Sequence, residues 1–162
     1  MIKEVRLLYA PFRHFVSGHV CLIFKLTNGK EVVISPEAQT EKFIPILGFL
    51  PFYKLKYSKF EYAEYIEKYQ KTSRVFHSTK LEIEPESALS LYEEMSERMS
   101  HLEENREIYH ILSNSCITNT FRHLKQSAKF DLTLIQRIKI HFKPHLLVDL
   151  IESGTSTKSY GG

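Results

Sequence analysis

Residues 19–34, HVCLIFKLTNGKEVVI, carry the reading of the fold. Two apolar runs, His19 to Leu26 and Glu31 to Ile34, flank Thr27-Asn28-Gly29-Lys30. Asn-Gly between such runs is the strongest short-range hairpin signal, because both residues accept positive φ. A strict two-residue loop sets Thr27 opposite Lys30, so that paired residue numbers sum to 57. His19 then shares its face with Ile34 and Pro36, and Ser35 and Glu37 fall on the other face. A bulge at Pro36, which cannot donate to a ladder, would bring Ser35 and Glu37 onto the His19 face.

Outward from this hairpin, Val5 to Phe12 reads as a further strand, as does the alternating stretch Arg74 to Glu84. Glu61 to Gln70 sets Tyr62, Tyr65 and Tyr69 at helical spacing, which predicts a core stripe more than a ligand platform. Glu37 to Phe60 carries Pro45 and Pro51 and reads as irregular. Pro85 suits the first position of a helix whose apolar face is Ala88, Tyr92, Met95, Met99 and Leu102. The cap-type residues Ser113, Asn114 and Ser115 predict a second helix, with Ile117, Phe121, Leu124 and Ala128 turned inward. Helical pieces are expected at Leu132 to Phe142 and Pro144 to Ile151. The class is α+β, a small antiparallel sheet packed on helices, with one domain over 1–152 and a flexible tail over 153–162.

The 162 residues, 43% hydrophobic and 25% charged, have the composition of a soluble globular domain and exclude disordered, collagen-like and coiled-coil chains. The net charge of +3 is too small to argue for a nucleic-acid partner. It is unevenly placed. Nine Glu against two Arg occupy 82–107, and six Lys or Arg against one Asp occupy 122–143. Two solvated helix faces that attract each other explain this pattern. No phosphate loop, dinucleotide fingerprint or zinc-finger spacing is present, and two cysteines make no disulfide scaffold. The N-terminus MIKEVRLLYAPF lacks the features of a signal peptide. A cytoplasmic location is therefore expected for the chain as it stands, or export if a targeting segment has been removed.

Cys116 stands where a helix begins, and unpaired N–H groups and the positive end of the macrodipole favour a thiolate there. His19 opens a strand and can be aimed rigidly at such a helix start, the pairing used by papain-type enzymes. Ser35 and Glu37 are the candidates to orient the imidazole, with a backbone carbonyl as the alternative. Asn114, Ser115, Phe49 and Phe52 are the candidate substrate contacts. His14 is a substitute for His19, and the other six histidines read as surface or packing residues. Cys21, two residues after His19, reads as core. A disulfide between Cys21 and Cys116 and a metal on His19, Cys21 and Cys116 are the lesser alternatives. The apolar run Phe43 to Phe52 is too short to span a bilayer. So many apolar side chains predict a cleft wall or a contact surface, including peripheral contact with a membrane.

Ser17-Gly18-His19-Val20-Cys21-Leu22-Ile23-Phe24 resembles the Gly-His strand of the circularly permuted papain-like families. Tyr109-x-x-Leu112-x-Asn114-x-Cys116-x-Thr118 resembles the Tyr…Asn-Cys-Thr helix start of one of them, the bacterial Lnb N-terminal periplasmic domain of unknown function. Leu81-Glu82-Ile83 followed by Pro85-Glu86-Ser87-Ala88 is similar to the strand and helix before that cysteine block. The resemblance runs from about Val5 to about Leu124. One departure is Ser115, which stands between Asn114 and Cys116 where the family pattern has the two adjacent. The resemblance implies a circularly permuted papain-like fold, in a group that includes NlpC-type peptidases and lecithin:retinol acyltransferase-like proteins, and an exported protein. It also implies a cysteine-dependent hydrolase or acyltransferase acting on an amide or ester of a peptide, a lipid or another acyl compound, without cofactor or metal. The alternatives are an inactive papain-like binding module and a membrane-peripheral interaction protein.

Overall fold

The computed structural model describes residues 1–11, 18–70 and 76–128. Five antiparallel strands, β1 (Ile2–Pro11), β2 (Gly18–Leu26), β3 (Glu31–Ala38), β4 (Leu55–Glu61) and β5 (His77–Leu81), form one sheet in the order β4-β3-β2-β1-β5. Three helices, α1 (Tyr62–Gln70), α2 (Pro85–Glu104) and α3 (Cys116–Ala128), complete the α+β architecture among the described residues. His14 and the helical pieces expected beyond Ala128 lie outside them, as do the tail and most of the basic stretch.

The hairpin at 19–34 forms, but its register differs from expectation. Lys25 pairs with Glu31 and Leu22 with Ile34, so paired numbers sum to 56. Leu26 N–H donates to Lys30 O at 2.8 Å, and Gly29 N–H donates back to Leu26 O at 3.0 Å. The loop is therefore three residues long, Thr27-Asn28-Gly29, with Gly29 at φ +84°. A three-residue loop that ends in a left-handed glycine is the next commonest hairpin closure after the two-residue one. Because side chains alternate, this one-residue slip moves Ser35 and Glu37 onto the face of His19. The irregularity sits in the turn and not at Pro36, which pairs regularly with Tyr57.

Each face of the sheet buries its own cluster. Val5, Leu7, Val20, Leu22, Phe24, Val32 and Ile34 pack under α2 and α3, which supply Ala88, Leu91, Met95, Ile117, Phe121 and Leu124. Leu8, Cys21, Ile23 and Val33 pack under α1 through the fully buried Tyr65, with Tyr62 and Tyr69 at its margin. Tyr65 is thus core, while Tyr62 and Tyr69 are half-buried at its edge. A fully buried side chain of this size contributes about 1.5–3 kcal/mol relative to exposure, so the two clusters hold the sheet between its layers.

The segment read as irregular contains two elements. Leu55–Glu61 is β4, at the sheet edge, and Pro45–Phe49 is a short 3-10 helix. Lys and Glu dilute the alternation of β4 (LKYSKFE), which hides it from a period-two reading. Residues 107–111 run alongside this segment. Glu107 O accepts from Leu55 N–H at 2.8 Å, Tyr109 N–H donates to Tyr53 O at 2.9 Å, and Ile111 N–H donates to Gly48 O at 2.9 Å.

Candidate functional site

The site forms where β2 and β3 part. Their ladder ends at Leu22 and Ile34, while β3 continues along β4 to Ala38. The N-terminus of α3 enters this gap. Ser115 is its cap. The Ser115 hydroxyl accepts from Thr118 N–H at 3.3 Å, and Ser115 N–H donates to Thr118 Oγ1 at 2.6 Å, a reciprocal capping pattern. Cys116 is the first helical residue and is buried. Gly18 lets β2 lie close against β1 just before His19, since a Cβ there would come 2.2 Å from Tyr9 Cε2 and 2.7 Å from Ala10 O. Glycine therefore precedes the histidine for a steric reason.

The Cys116 thiol points its hydrogen at Gly18 O, 4.0 Å away, and lies beside Val20 N–H, a group beyond the end of the β2–β3 ladder. The His19 ring and the Tyr109 hydroxyl are its polar neighbours. Burial pushes the thiol up, but the imidazole, Val20 N–H and Tyr109 overcome it and hold Cys116 below the ordinary thiol range. Burial likewise disfavours the imidazolium, yet Cys116 and then Cys21 raise His19 well above its usual value. Both shifts favour a thiolate–imidazolium pair.

His19 is buried, and its Nε2 lies 2.7 Å from Ser35 Oγ. Glu37 lies further along β3. Its carboxylate accepts from Ser58 Oγ at 2.6 Å and Tyr69 Oη at 3.4 Å, and Lys56 Nζ lies 3.1 Å away. Burial raises Glu37, but Ser58, the charge on His19 and Lys56 outweigh it and keep the carboxyl ionised. His19, Glu37, Phe43, Tyr69 and Tyr109 line a cavity of about 140 Å³, with Ala38, Thr40 and Glu41 at its margin. Beneath the ring, Cys21 Sγ lies 3.6 Å from Tyr65 Oη. Among the described residues no group of three or more His, Cys, Asp or Glu is placed to hold a metal ion.

The structure thus brings Cys116, His19, Ser35 and Glu37 together. Asn114 and Ser115 face inward instead. Asn114 Nδ2 donates to Ile108 O at 2.9 Å and Glu107 Oε2 at 3.2 Å, and its Oδ1 accepts from Asn119 at 2.9 Å. Phe49 and Phe52 lie outside the cavity, which takes Phe43 from the same loop. They belong to an exposed apolar surface with Ile44, Ile46 and Leu50. Tyr109 was legible only as the first residue of the cysteine block, because nothing local tells a buried packing tyrosine from one aimed at a thiol. His123, read as surface or packing, is buried against Glu94 and Tyr57.

No curated protein and no solved structure matches the chain. The family model of the Lnb N-terminal periplasmic domain matches residues 2–153. That match takes in every strand, every helix and the whole Cys116 site, and the chain belongs to the Lnb N-terminal periplasmic domain family.

Proposed function

We propose that the protein is a cysteine-dependent hydrolase or acyltransferase acting on an amide or ester, on a permuted papain-like scaffold in which the histidine strand precedes the cysteine helix. One observation carries the reading: Cys116 at the start of α3 is buried beside His19, and the His19 ring is itself held by Ser35 at 2.7 Å. Nucleophile, base and orienting group stand in the order that covalent catalysis needs.

In the first step Cys116 Sγ attacks the carbonyl carbon, and the carbonyl π pair moves onto oxygen. Cys116 N–H at the helix start and the Tyr109 hydroxyl beside the sulfur stabilise that oxyanion. The oxyanion then collapses, the bond to the leaving nitrogen or oxygen breaks, and His19 gives its proton to the leaving group. A thioester on Cys116 remains. Water, or the hydroxyl or amine of an acceptor, then loses a proton to His19 and attacks the thioester, which returns the thiolate. Ser35 keeps the ring from turning away between the two steps. The family's description as a periplasmic domain supports an exported protein over a cytoplasmic one.

The experiment is to incubate the protein with p-nitrophenyl esters of short and long acyl chains and to measure intact mass. An acyl adduct on Cys116, absent from Cys116→Ser, supports the reading. A wild-type protein that forms no adduct, and whose Cys116 alkylates like an ordinary thiol with or without His19, leaves the inactive binding module standing.

A second reading concerns the surface of the loop. Ile44, Ile46, Phe49, Leu50 and Phe52 are exposed beside Phe43, which lines the cavity next to His19. This continuity favours a peripheral membrane contact that presents the site to an acyl substrate.

A further inference from the structure

Helix α3 carries a second buried histidine, two turns after Cys116, that the proposed chemistry does not use. His123 Nδ1 lies 2.7 Å from Glu94 Oε1 on α2, and His123 Nε2 lies 2.8 Å from Tyr57 Oη on β4. A carboxylate only accepts, so the neutral ring carries its proton on Nδ1, and Nε2 accepts from the Tyr57 hydroxyl. Ser127 donates to the other Glu94 oxygen at 2.5 Å. Arg98, one turn along α2 from Glu94, lies beside Tyr57. Arg98 also donates to Glu107 at 2.6 Å. Glu107 accepts from Asn114, Asn114 accepts from Asn119, and Asn119 donates to Ser115 O at 2.9 Å. A chain of polar neighbours therefore runs from His123 to the residue that precedes Cys116.

A tyrosine, histidine and glutamate in line resemble a second catalytic triad, but Tyr57 is unsuited to attack. It is buried, and burial drives its hydroxyl well above the usual phenol range, so it keeps its proton. Its surroundings suit a clamp. His123 ties α3 to α2 and to the edge strand β4, and small displacements of reacting atoms lower rates steeply.

We infer that His123 is a positioning residue for Cys116: in its neutral form it clamps α3 to α2 and β4, so that the helix start holds the thiol against His19, and its protonation releases that clamp. The inference rests on the proposed pairing of Cys116 with His19. A second ring proton would have to point at Tyr57 Oη, whose own hydrogen would then lose its acceptor. Of the charged groups around the ring, Glu94 favours the imidazolium and Arg122 and Arg98 oppose it, while Glu97, His101 and Glu107 line the same cavity. Burial decides the balance and lowers His123 below 6.5, so the release falls on the acid side of neutrality.

The test is the pH dependence of Cys116 alkylation by iodoacetamide, read by peptide mass spectrometry on the full chain, with the fold monitored by circular dichroism. In the wild type the acid limb should fall more steeply than a single ionisation allows. In His123→Gln, which keeps a donor and an acceptor but takes up no proton, it should fall with the slope of one ionisation, at a near wild-type rate at neutral pH. If His123→Gln does not fold, Glu94→Gln makes the measurement, because loss of the carboxylate should move the second acid step to lower pH. An acid limb identical in the wild type and the folded variant overturns the inference while leaving the Cys116–His19 pair intact. A wild-type profile of an ordinary thiol, unchanged in His19→Ala, overturns the proposed function itself.

Discussion

His19 Nε2 lies 2.7 Å from Ser35 Oγ because the hairpin between them closes through three residues and not two. With two, the Ser35 side chain would point through the sheet to the layer of α2 and α3, and the imidazole would have no hydroxyl partner. A single left-handed residue, Gly29, thus decides which side chains share the face of His19.

Gly29→Val should therefore be more harmful than its exposed position implies. A β-branched residue at φ +84° costs about 1–2 kcal/mol from backbone sterics alone. Gly29→Asn should recover most of that loss. Urea denaturation of the two variants makes the comparison, and equal midpoints would contradict the role given to Gly29.

Ser35→Ala should leave the sheet in place, since Ser35 is paired to Ser58 through the backbone ladder. It removes the hydroxyl from a buried ring nitrogen, at about 0.5–1.5 kcal/mol of stability. Cys116 alkylation should slow because the ring is no longer held, although the residue altered never touches the sulfur. An unchanged rate would assign the orienting role elsewhere.

Cys116 should react with iodoacetamide faster than Cys21 does, and its reaction should persist below the ordinary thiol pKa of about 8.5. His19→Ala removes the main partner that lowers the thiol, so labelling in the acid range should drop while labelling at alkaline pH changes little. The histidine sits at a strand end, so the variant should remain folded.

Acid should weaken the fold through two carboxyl groups. Burial pushes Glu37 up, but Ser58, His19 and Lys56 bring it below 4.5, and the Arg98 guanidinium brings Glu107 below 4.5. In acid the unfolded chain binds more protons than the folded one at both groups. Their contribution is complete above pH 4.5 and is lost as the pH falls through the lowered folded values. Urea midpoints measured at descending pH should show this loss, and Glu37→Gln should flatten part of it.

Ile46→Ser and Phe52→Ser change side chains that are 70% and 66% exposed, so stability should move by no more than about 0.5 kcal/mol. Sedimentation with phospholipid vesicles should fall in both if the loop meets a membrane. Vesicle binding equal to that of the wild type would reject the peripheral reading and leave the Cys116 chemistry untouched.

The sequence by itself determined the elements with strong local signals. Asn28-Gly29 between apolar runs announced the hairpin, Pro85 opened α2, and Ser115 before Cys116 capped α3. These signals act within a few residues, through φ, caps and periodicity. The pairing of Cys116 with His19 was legible as a pattern of residue types in order. Its geometry was not, because the two side chains are 97 positions apart and meet only through the gap where β2 leaves β3. β4 escaped because an edge strand needs little apolar alternation once a neighbour pairs with its backbone. Tyr109 and His123 escaped because a buried polar side chain takes its meaning from partners on other elements, here Cys116 in one case and Glu94 and Tyr57 in the other. Which hydroxyl faces His19 became legible only in the folded hairpin, since Asn-Gly suits a loop of two or three residues and that one-residue difference reverses a strand's faces without altering its composition.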